Sequence, residues 1–238
     1  MKRLSIIFLV FLGLVSTTQF SFAAAPLTHL CLASKFLTLH CTHYTPEQRN
    51  SFLRGTSFPD IRYLGGIARE KTHDKDVTLQ TISTTTSPFE AGKKFHVWVD
   101  EVREQLVEQW NVYKTVTELS KSSHNNRGLF LKLIEDAILF NNTNNKTFDA
   151  LMLFSIIDPE ALQYGISRIK ILEWQTILIA YLSIQQNWLL KLSSLLLNKV
   201  PEEWSTEVPR LAQEKVFVDY VDRLLVEFEK RFANFKPQ

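Results

Sequence analysis

From Pro26 onward the apolar positions recur mainly three and four residues apart. Leu27, Leu30, Leu32, Phe36, Leu37 and Leu39 set this rhythm and predict a first helix reaching about His40. Thr45 before Pro46 predicts the next helix start, with a hydroxyl cap and a proline where its missing N–H costs nothing. Gly55 is placed to end that short helix. Residues 56–87 hold no sustained period and read as a long irregular connection, a feature that in compact domains often carries function. Ser87-Pro88-Phe89-Glu90 opens a helix to at least Tyr113, with Phe95, Val99, Val102, Leu106, Val107 and Trp110 as its apolar positions.

After a break at Ser120 to Arg127, Leu129 to Phe140 and Phe148 to Ile157 read as helices separated by the polar loop 141–147. Pro159 begins a helix reaching toward Asn198, whose centre, 171–184, is apolar nearly all round and therefore expects neighbours on several sides. Glu173, Gln185, Gln186 and Asn187 interrupt it too often for a membrane span. A last helix runs from about Pro209 to Phe235, with Val216, Tyr220, Leu224, Leu225 and Phe228 on one face. With no internal repeat and no dividing linker, the pattern predicts an all-α fold, a single bundle of seven or eight helices.

The first residues break this rhythm. Lys2 and Arg3, the charge-free stretch Leu4 to Val15 and the small residues around Ala23 have the layout of a secretory signal peptide, with cleavage expected after Ala23. Residues 24–238 would then be the mature domain, secreted or periplasmic, with no transmembrane segment. Losing Lys2 and Arg3 from 27 basic side chains leaves 25, against 25 acidic ones. A balanced surface carries no nucleic-acid signature, and the chain is expected to be a monomer. Cys31 and Cys41 are the only cysteines; ten positions apart on one helix is about 15 Å, too far for a disulfide, so both are expected as free, buried thiols.

The histidines, at 29, 40, 43, 73, 96 and 124, place any metal chemistry in the first half. His96 and Asp100 stand four apart on a helix, so an imidazole and a carboxylate lie one above the other. Apolar Phe95, Val99 and Val102 put that pair near the core boundary, where an unpartnered charge is costly. Asp60 and His73, in the irregular connection, complete a four-ligand nitrogen and oxygen set suited to zinc. The "HCTH" stretch, 40–43, is expected to be a helix end rather than a ligand cluster, because adjacent helical positions face different ways. Asp74 is a solvated charge or a substitute ligand.

"PLTHL", "GTSFPDIRYLG", "THD" and "FEAGKKFHVWVD", in this order, resemble the bacterial zinc-dependent phospholipase C family, which is related to the secreted three-zinc single-strand nucleases. The resemblance spans roughly residues 26–110. It implies an all-α fold and one zinc held by Asp60, His73, His96 and Asp100. It implies a second zinc on the amine and carbonyl of residue Ala24, on His29, and on Asp100 as a bridge. The family's third zinc has no counterpart: Leu106 stands where a histidine is expected, and Glu135 and Asp136 lack matching partners. One or two zinc ions are therefore expected rather than three. The implied reaction is attack of activated water on a phosphodiester, a phospholipid or another, with Asp60 orienting the water. Arg62 and Arg69 would bind phosphate oxygens, and Arg103 with Glu104 would support the ligands. The alternative is a metal-stabilised helical protein that acts as a binding module without turnover.

Overall fold

A computed structural model describes residues 26–120, 126–142, 149–183 and 201–237. The signal-like leader, Ala24, His124, Trp188, most of the polar tract and the segment following Ser183 lie outside the described residues. The fold is an all-α bundle, with no strand among the described residues. Its helices are α1 Pro26–His40, α2 Pro46–Ser57, α3 Arg62–Gly65, α4 Leu79–Ser83, α5 Pro88–Gln109, α6 Val112–Leu119, α7 Arg127–Asn142, α8 Ala150–Phe154, α9 Arg168–Ser183, α10 Trp204–Leu211 and α11 Lys215–Asn234. Short 3₁₀ turns occupy Pro59–Ile61, Arg69–Lys71 and Pro159–Tyr164. Among the described residues no helix is long and apolar enough to cross a membrane.

The helix starts follow their caps. Thr45 and Gln48 exchange side-chain and backbone bonds in a capping box, and the Ser87 hydroxyl accepts from Glu90 N–H, each just ahead of a proline in the first turn. Phe36, Phe52, Phe95, Phe228 and Phe232 pack at the centre of the core, joining α1, α2, α5 and α11. Cys31 and Cys41 are both free and buried.

Several expected boundaries move for identifiable reasons. Gly55 does not end α2, which continues to Ser57; its missing side chain serves a helix crossing. The long helix expected from Pro159 is two elements, because Gly165 at φ 72° stops the first turn and α9 starts afresh at Arg168. The helix expected through Tyr113 breaks at Asn111, whose φ is 54°. Pro209 starts nothing: it lies inside α10, and α11 begins at Lys215. The buried face of α11 is Phe217, Tyr220, Val221, Leu224, Phe228 and Phe232, leaving Val216 exposed. The irregular 56–87 connection holds short helical turns, which lets it be ordered without a long period.

α2 and α5 make the most intimate helix pair. A Cβ on Gly55 would lie 2.0 Å from the Phe89 carbonyl oxygen, and one on Gly92 would lie 2.0 Å from that of Phe52. Each glycine therefore admits the other helix's backbone, which no side chain would allow. This close crossing lays the end of α2 along the first turns of α5 and brings the Thr56 carbonyl to His96.

Candidate metal centre

His96 is placed by that crossing. Its Nδ1 lies 2.9 Å from the Thr56 carbonyl oxygen, one of the carbonyls in the last turn of α2 that no intrahelical N–H reaches. Nδ1 therefore donates, which turns Nε2 inward. One helical turn on, Asp100 brings Oδ2 to 3.4 Å from that Nε2. The 3₁₀ turn after α2 delivers Asp60, whose Oδ2 lies 4.0 Å from the same atom. His73 follows the Arg69–Lys71 turn. The Thr72 hydroxyl is 3.3 Å from the Arg69 carbonyl oxygen, and donating there leaves it to accept from His73 Nδ1 at 2.9 Å. His73 then also turns Nε2 toward the cluster. From α1, His29 stacks on His96 with ring centroids 4.1 Å apart, and its Nε2 lies 3.5 Å from Asp100 Oδ1.

Five side chains from four separate segments thus gather around His96. Ligand atoms of Asp60, His73 and His96 all lie within 4.8 Å of one another, as do those of His29, His96 and Asp100. These buried groups could hold a metal ion. Three atoms say so independently: Asp60 Oδ1, His73 Nε2 and His96 Nε2 are buried with no hydrogen-bond partner. A buried polar atom left unpaired costs ~1–3 kcal/mol, so three on one cluster fit an inorganic partner better than chance. Asp60, His29, His73 and His96 are each 7% exposed or less, while Asp100 opens toward solvent.

Electrostatics prepare the ligands. Burial pushes the His73 imidazole down to about 3, with His96 and Arg69 adding to it, so it is neutral and able to ligate. Burial and His96 likewise hold His29 below the usual histidine range. Burial opposes charge on His96, but Asp100 and Asp60 outweigh it and raise its imidazole above that range. Asp100 is held well below the usual carboxylate range by Lys132 and His96, against the effect of its burial.

The structure brings together Asp60, His73, His96, Asp100 and His29. Arg62 is half-buried close to Asp60, whose charge acts on it, and Arg69 is exposed beside it. Asp74 lies in neither donor group and bonds Lys93 at 3.2 Å. His40 turns away to the Phe232 carbonyl oxygen at 2.9 Å, and His43 is exposed, so "HCTH" forms no cluster. Arg103 does not support a ligand directly. It forks onto Glu135 with bonds of 2.7–3.0 Å and touches Glu104 at 3.2 Å.

Three residues of α7 matter that the local pattern does not single out. Lys132 Nζ bonds Asp100 Oδ1 at 3.2 Å. Glu135 accepts from Arg103 and from the Tyr220 hydroxyl at 2.6 Å. Asp136 accepts from Leu27 N–H at 3.0 Å, from Thr28 N–H and hydroxyl at 2.9 and 2.8 Å, and from the Tyr181 hydroxyl at 3.0 Å. It thereby caps α1 from another helix and sets the position of His29. An i, i+3, i+4 run of Lys132, Glu135 and Asp136 in an apolar helix was the available signal. No known family, curated protein or solved structure matches the chain.

Proposed function

We propose that this protein is a zinc-dependent hydrolase of phosphodiesters, phospholipase C-like and secreted. The observation that carries the reading is the pair of donor groups that share His96, one with Asp60 and His73 and the other with His29 and Asp100, with three ligand atoms buried and unpaired. Imidazoles and carboxylates at this density are the donor set zinc takes, and an ion there would displace the proton that Asp100 and Asp60 favour on His96. A bound ion there supplies positive charge toward phosphoryl oxygens and activates water for attack on phosphorus. Beside it, Asp60 would orient the attacking water. Arg62 stands at the same edge as an electrostatic clamp for the phosphoryl oxygens, with Arg69 further out in solvent. The Thr56 carbonyl and the Thr72 hydroxyl keep the two imidazoles aimed inward.

The test is elemental analysis of the purified protein together with assay on phospholipid and nucleotide phosphodiesters. We expect bound zinc and phosphodiester turnover. His96→Ala and Asp60→Asn should each lower zinc affinity by at least ~10-fold, the scale on which ligand surroundings act. Zinc without turnover would replace the enzyme reading by a metal-stabilised binding module, a reading favoured by the ion pair that already occupies Asp100 Oδ1. A chain that takes up no metal would overturn both.

A further inference from the structure

The two candidate donor groups share His96 but differ in what else holds their carboxylate. Asp60 Oδ1 is buried with no hydrogen-bond partner. Asp100 Oδ1, which faces His29 at 3.5 Å, accepts the Lys132 ammonium at 3.2 Å. We propose that Lys132 is the resident cation of the His29 and Asp100 side of the cluster and limits the centre to one divalent ion, held by the Asp60, His73 and His96 group. This rests on the metal-centre reading above.

Three observations support it. The ammonium bonds the oxygen that a second ion between His29 and Asp100 would need, so like charges would meet at contact distance. Lys132 cannot swing away freely. Its side chain is 13% exposed, and one turn on, Arg103 and Glu135 repeat the pairing of α5 with α7 at the same offset of 32 residues. Formal charge agrees. With Lys132 on Asp100 and Arg62 beside Asp60, the four side chains sum to zero formal charge, so one divalent ion leaves two positive charges to meet an anion and a second would leave four.

Zinc titration of the full chain, read by native mass spectrometry and elemental analysis, decides the matter. The wild type should take one ion. Lys132→Met, which keeps the length of the side chain and removes its charge, should take a second. His29→Gln should leave the wild-type count at one and return the Lys132→Met variant from two to one. Two ions on the wild type, or a folded Lys132→Met variant that stays at one, overturns the proposal. If Lys132→Met does not fold, His29→Gln alone still decides: a loss of wild-type zinc affinity of ten-fold or more would show the His29 side in use and overturn it. No zinc on the wild type would instead overturn the metal centre itself.

Discussion

Asp136 is fully enclosed, and the balance of forces on it has a measurable sign. Burial raises its carboxyl to about 6, against the four hydrogen bonds it accepts from α1 and Tyr181. A carboxyl whose folded-state value exceeds its unfolded value of 3.8 stabilises the fold below that value, and the contribution is lost as pH rises through about 6. The shift of about two units corresponds to about 3 kcal/mol. We expect Asp136→Asn to flatten this part of the stability profile: wild type minus variant should fall between pH 4 and pH 6.5 in denaturant titrations at equal metal content. A difference independent of pH would refute the assignment. Asp60, His73, His96 and Asp100 stood out in the sequence as candidate donors because of their residue types and the four-residue helical spacing, and the structure gathers them around His96. Asp136 and Lys132 did not. Their partners lie 109, 108 and 32 positions away, and nothing local encodes such a meeting.

The crossing of α2 and α5 makes the site and the fold one object. Gly92→Ala would drive a methyl into the Phe52 carbonyl at 2.0 Å, so the helices must part. Overpacking costs ~1–3 kcal/mol where side chains can yield, and backbone yields less. We expect Gly92→Ala to destabilise the protein by at least ~3 kcal/mol and to weaken zinc binding, because His96 loses its register on Thr56. Gly65→Ala is the control. Its added methyl would meet only the Ile166 side chain at 3.6 Å, an ordinary contact, and Tm should change by no more than a few degrees. Helix starts at Pro46 and Pro88 were legible from their caps. The glycine at 55 was legible as a special position but for the wrong reason: one sequence shows that a side chain is missing, not which backbone comes close. Pro209 misled in the same way: it stands near the end of α10, where the ladder is about to stop, rather than at a helix start.

Across the whole molecule, polar ties from α7 hold together what the aromatic core does not reach. Arg103 and Glu135 form a buried ion pair between α5 and α7, joined by Tyr220 of α11. Removing one partner strands the other charge, so Glu135→Ala should cost ~3–5 kcal/mol, while Arg103→Met with Glu135→Leu should recover most of it. Chemical denaturation of both variants would check this, and equal losses would show that packing rather than charge is at stake. The all-α class was legible from the spacing of apolar residues alone, because burial of a helix face needs only local periodicity. The tethering of α1 by α7 has a temporal side. His29 is among the earliest described residues to leave the ribosome, yet the carboxylate that anchors its helix comes about a hundred residues later. At ~5–20 residues per second that interval is several seconds, vastly longer than a helix takes to form. During synthesis α1 therefore waits without this tether, and a chain interrupted before Asp136 would carry all five residues of the candidate centre and lack the carboxylate that positions His29.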